Sequence, residues 1–74
     1  SKKSKYIPMF RQFKCLKKVV TPNITIQVGD IVEVTQIQIV NNMPIFDMVF
    51  CDDTKSICGY MFSITLKQLM EGVK

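Results

Sequence analysis

Histidine, tryptophan and alanine are absent from this 74-residue chain, and arginine occurs once, at position 11. Without histidine the commonest general base and neutral metal ligand is missing, which weighs against acid–base and metal-assisted catalysis. A cysteine nucleophile needs an adjacent base or cation. Lys14 is next to Cys15 in sequence, but neighbours on a strand face opposite ways. The three glycines form no phosphate-binding loop. Cys15, Cys51 and Cys58 are odd in number, so a disulfide framework is not indicated and reduced thiols are expected. Cys51 and Cys58 lack the CxxC spacing of a zinc site, and Asp52-Asp53 reads as an acidic turn rather than a cation site. No apolar run approaches the roughly 20 residues needed to cross a bilayer, and the opening Ser-Lys-Lys-Ser-Lys lacks a signal peptide's apolar stretch. A cytoplasmic, non-enzymatic chain without metal or cofactor is expected.

The residues that are present favour strands. Nine Ile, eight Val and five Thr are β-branched, against only three Leu, and their stiff side chains suit a pleated surface. Seventy-four residues make one domain with a thin core. Residues 1–9 read as a flexible basic arm ending near Pro8, and residues 10–74 as a single folded domain. Phe10 to Val20 is predicted as the first long strand. Thr21-Pro22-Asn23 is a turn, Ile24 to Val28 a short extended piece, and Gly29-Asp30 a break.

Ile31 to Val40 is the second long strand. Val32 and Val34 share one parity while Ile37 and Ile39 take the other. Either a β-bulge near Thr35-Gln36 or an exposed face at an interface reconciles them. Asn41-Asn42 signals a hairpin. The next strand, Ile45 to Cys51, alternates Phe46, Met48 and Phe50 against Ile45, Asp47 and Val49. A turn at Asp52–Lys55 and a returning strand to Phe62 follow. Thr65 and Gln68 have the form of a capping box, and Leu66, Leu69, Met70 and Val73 repeat at helical spacing, with Gly72 suited to the C-terminal cap. The whole is mainly β: a small barrel or half-barrel of four to five antiparallel strands with a short C-terminal helix.

The charge is polarised. Residues 1–18 carry +7 and no acid, while the remaining 56 carry −3, for a net +4. Clustered cations favour a partner that is negative somewhere. Lys2, Lys3, Lys5, Arg11, Lys14, Lys17 and Lys18, with Tyr6 and Phe10 interleaved, form a candidate nucleic-acid surface. The plainer reading is a solvated tail, and the lack of Trp and scarcity of Arg suit base recognition poorly. A protein-binding surface is the other candidate. Five Met and five Phe are more than a thin core needs, and Ile37, Ile39, Met43 and Met48 are candidate contacts on an adaptable apolar surface, with core filling as the plainer alternative.

Val28-Gly29-Asp30-Ile31-Val32-Glu33-Val34 resembles the opening of SH3-like barrels, including the KOW motif of ribosomal and transcription-elongation proteins. KOW's later glycine is missing here, so no RNA-binding role is implied. Phe13–Lys17, the Gly-Asp strand, the acidic turn and the terminal helix also resemble small SH3-like barrel proteins of phages and mobile elements of Gram-positive bacteria. That resemblance implies an SH3-like barrel and an accessory role such as inhibition of a host enzyme or attachment to nucleic acid. The partner expected is a macromolecule, either a host or viral protein or a nucleic acid, with a homodimer also possible. Neither a small-molecule substrate nor a membrane is expected.

Overall fold

The computed structural model of the protein describes residues 4–51 and 60–74. The six strands are β1 (Ser4–Lys14), β2 (Val19–Val20), β3 (Thr25–Ile26), β4 (Ile31–Val40), β5 (Met43–Cys51) and β6 (Met61–Thr65), followed by helix α1 (Leu66–Gly72). The long strands make an antiparallel sheet in the order β1-β4-β5-β6, and β2 and β3 pair in a separate two-stranded ribbon. The chain is therefore mainly β with one short C-terminal helix. Among the described residues β1 and β6 form the two ends of the sheet, with no pairing between them.

Cross-strand register explains the inward face. Val32 lies between Phe13 and Phe50, and Val34 between Arg11 and Met48. Beyond Val34 the register slips, so that Gln36 opposes Asp47 and Thr35 is left over. This bulge is the one needed to bring Ile37 onto the same face as Val32 and Val34. Ile37 accordingly packs against the core. β1 slips at the same level: Pro8 opposes Gln36 and Arg11 opposes Val34, leaving Met9 and Phe10 opposite Thr35.

The buried core is Val19, Ile26, Val32, Val34, Met48 and Ile64. The ribbon supplies Val19 and Ile26, the sheet the other four, and Leu69 of α1 packs on them. Ribbon and helix thus cover one face of the sheet. The predicted turn after Val20 is closed by Thr21, whose N–H and hydroxyl both donate to the Ile24 carbonyl at 2.9 Å. The Gly29-Asp30 break is held by Gly29 at φ +93°, a conformation suited to glycine, and by the Gln27 N–H donating to Asp30 Oδ2 at 2.8 Å. Asn41 and Asn42, at φ 52° and 66°, form the tight β4–β5 hairpin. Thr65 caps α1: its Oγ1 accepts from the Gln68 N–H, and Gln68 Oε1 accepts from the Thr65 N–H.

Several boundaries differ from the sequence reading. Residues 4–9 are not an arm but the first half of β1, because Ile7 and Lys5 find cross-strand partners in Ile37 and Ile39. The strand predicted over Phe10–Val20 ends at Lys14. There Cys15 is drawn off to the β3–β4 turn, its N–H donating to the Asp30 carbonyl and its carbonyl accepting from the Gly29 N–H, both at 2.8 Å. Gly72 is the last helical residue rather than the cap, since Val73 turns extended to bridge Val19. Met70, predicted on the inward helical face, is 69% exposed. The acidic turn and the start of the returning strand, with Cys58, lie outside the described residues, as do Lys2 and Lys3.

Candidate functional site

Among the described residues strand β1 is an edge. There it contacts β4 and no other element, and ten of its eleven residues are exposed. Two of the predicted cations stand on it in opposite senses. Arg11 opposes the buried Val34 and so takes the covered face of the sheet, while Lys14 opposes Ile31 and takes the other. Lys5 opposes Ile39. Lys17 and Lys18 are not on this strand but in the segment that leads to β2. All five are exposed, and no acid lies between residues 4 and 29.

Aromatic and aliphatic groups accompany them. Tyr6 is 60% exposed, Phe10 69%, Phe13 45% and Leu16 80%. Phe10 sits at φ +53°, a left-handed conformation that a bulky residue rarely adopts and that here belongs to the β1 bulge. Exposed large apolar side chains are ordinary one at a time, but a run of them along an edge marks a contact surface.

A half-open groove of about 280 Å³ runs beneath this edge, between the sheet and its cover of ribbon and helix. Met9, Phe13 and Cys15 form its β1 side, Val34 and Ile37 its floor, and Leu69 part of its far wall. No polar atom of the wall faces the groove. The Cys15 thiol, half-buried, donates to the Lys17 carbonyl at 2.6 Å, so its hydrogen is already committed.

The candidate protein-binding residues separate. Met48 is 7% exposed and part of the core, because it shares the inward parity of Phe46 and Phe50; it meets the groove only as part of its inner lining. Ile37 is half-buried and lines the groove. Ile39, also half-buried, lies opposite Lys5 and Pro44. Met43, 39% exposed, lies in a shallow depression with Leu66 and Met70. The groove itself escaped the sequence reading. Its only local sign is that Met9 and Phe13 flank Arg11 on a strand otherwise rich in cations.

The uncovered face of the sheet carries a polar cluster. Asp47 Oδ2 accepts from Gln36 Nε2 and Gln38 Nε2 at 2.7 and 2.8 Å, and its Oδ1 accepts from Ser63 Oγ at 2.6 Å. Burial by itself would raise the Asp47 pKa, but the bonds from Ser63, Gln38 and Gln36 together outweigh it and hold the carboxyl below its usual value. A depressed folded-state pKa gives stability that is present above the unfolded value and is lost as pH falls through the folded one. Urea unfolding across pH should therefore show stability falling once pH enters the ordinary aspartate range near ~4 and continuing to fall below it. In Asp47→Asn the neutral-pH stability should be lower by about 1–2 kcal/mol, reduced from the fully buried figure by solvent access, and the acid slope shallower. An identical slope in the variant would refute the assignment.

Among the described residues no three His, Cys, Asp or Glu side chains gather as a metal site, and no helix is long and apolar enough to cross a membrane. No protein-family model, curated protein or solved structure matches this chain.

Proposed function

We propose that this chain is a non-enzymatic docking module that binds a partner protein along β1. The observation that carries this reading is an eleven-residue strand that is an edge among the described residues, is exposed over nearly its whole length, and contributes Met9 and Phe13 to the lining of a half-open apolar groove. Edge strands offer unpaired backbone groups to an incoming segment, and a pocket beside the edge gives a place for an anchor side chain. The strand meander with its terminal helix also supports an SH3-like layout, left open at the β1 edge. Such a module suits the accessory role that the phage and mobile-element resemblance implies.

A second reading has its own observation. Lys5, Arg11 and Lys14 are interspersed with exposed Tyr6, Phe10 and Phe13, as in proteins that hold single-stranded nucleic acid by charge and stacking. An apolar groove adds nothing to that mode, which is why protein binding is the first reading.

One experiment compares the two. Random twelve-residue peptides displayed on phage are selected against the folded chain, and a mixed-sequence 20-nucleotide single strand is titrated in parallel. Enriched peptides whose binding is lost in the groove-lining variant Ile37→Phe are expected. No enrichment, with tight binding of the oligonucleotide that weakens by about 10²-fold between 50 and 200 mM salt, as four phosphate contacts predict, would hand the edge to nucleic acid.

A further inference from the structure

We infer that the partner presents an extended acidic segment with one large apolar side chain, the segment lying along Arg11–Lys14 and the apolar side chain entering the groove. This rests on the docking reading above and names the chemistry of its partner.

The groove fixes the anchor. An apolar cavity of about 150 Å³ takes a benzene ring, so about 280 Å³ takes a phenyl or indole group. Its wall exposes no polar atom, and a polar or charged anchor would be desolvated there without a partner.

The rim fixes the flanks. Arg11 lies on the groove side of the sheet, opposite Val34. Lys14 follows on the other face of the same edge, where it meets the outward side chains of a paired segment, and Lys17 and Lys18 come within seven residues, all exposed. Glu33 Oε1 accepts from Gln12 Nε2 at 3.3 Å on the uncovered face, and Asp30 Oδ2 accepts from the Gln27 N–H. The segment that holds these cations carries no acid between residues 4 and 29, so acids on either side of an anchor crossing this rim are attracted.

The strand fixes the extent. Arg11 to Lys14 pair with β4 in unbroken register, whereas the Met9–Phe10 bulge interrupts the edge above them. Four residues of regular edge lie on this side of the bulge for backbone pairing, and the other regular stretch, Ser4–Pro8, lies beyond it. The same features disfavour a second copy of the chain as occupant. Two β1 strands side by side would set Lys5, Arg11 and Lys14 against their own kind, and Pro8 with the bulge blunts the edge.

The test uses fluorescent nine-residue peptides with a central Trp between Asp and Glu, a second peptide with Ala for Trp, and a third with Lys for every acid. The acidic Trp peptide should bind, the Ala peptide about 30-fold or more weakly, as for a buried hot spot, and the Lys peptide undetectably. Ile37→Phe and, separately, Cys15→Phe should each abolish binding. Arg11→Glu with Lys14→Glu should weaken it about 10-fold or more, and thermal melting of each variant checks that it is folded. The peptide substitutions need no protein variant, so the answer survives a misfolded one. Equal binding of the Trp and Ala peptides overturns the inference. If none of the three binds while display-selected peptides do, the inference fails and the docking reading stands. If no peptide of either kind binds and the oligonucleotide does, both fail. A stable dimer that the acidic peptide does not dissociate overturns the inference in favour of a second copy.

Discussion

Replacing Ile64 by alanine should lower the unfolding free energy by about 3–4 kcal/mol in urea titration. Ile64 is the most enclosed side chain described, at 1% exposure, and it stands on β6 opposite Phe46. Truncation removes its transfer free energy and leaves a hole that the surrounding strands fill only in part. A chain of this size is stable by about 4–11 kcal/mol in total, so a single truncation takes a large share of it. The effect also reaches the groove. Thr65, the cap of α1, follows directly on Ile64, and Leu69 of that helix forms part of the groove wall. A loss below about 1 kcal/mol would mean that β6 is not seated on the core as described.

The second large effect is expected at Gly72. A Cβ there would overlap the backbone carbonyl oxygen of Val20 and press on the Val19 side chain. A flexible side chain could give way, but a backbone oxygen in a paired ribbon cannot. Helix end and ribbon are joined here by the Val19–Val73 bridge, one bond of which is the Lys74 N–H donating to the Lys18 carbonyl at 2.8 Å. Gly72→Ala must therefore push α1 off the ribbon, at a cost of about 2–3 kcal/mol typical of overpacked sites, which corresponds to a fall in Tm of about 10–20 °C. Calorimetry showing an unchanged Tm would exclude the close approach. Gly29, by contrast, would find open space around a Cβ and is constrained only by its φ.

The parts of the fold legible in sequence are those decided by local chemistry. Thr65 with Gln68, Asn41-Asn42, Thr21 and Gly29-Asp30 each close their own turn or cap with atoms a few residues away. The β4 bulge was legible as one of two options, because Val32 and Val34 share a face with Ile37 and Ile39 only if one residue is set aside, and an exposed face was the other option. The start of β1 was not. Whether residues 4–9 pair depends on β4, some thirty positions on, and lysines with a proline read equally well as a tail. The break after Lys14 was hidden for the same reason, since Cys15 is captured by turn residues distant in sequence. Of the candidate surface, the exposed cations were visible as charge. The groove was not, because it exists only where ribbon, helix and sheet meet. Met48 was countable as an adaptable methionine by type, yet its parity with Phe46 and Phe50 places it inward.

The two register slips have a geometric consequence. Between the same two levels of the sheet, β5 spends Asp47 and Met48, β4 spends one residue more, and β1 two more. Lanes around a bend in a track lengthen in the same way from inside to outside. Thr35 shifts the inward phase of β4 by one residue, and together with Met9 and Phe10 it also adds arc length. β1 runs in the outside lane, and its outward bow keeps a strand with ten of its eleven residues exposed from forming the long flat border on which fibrils grow.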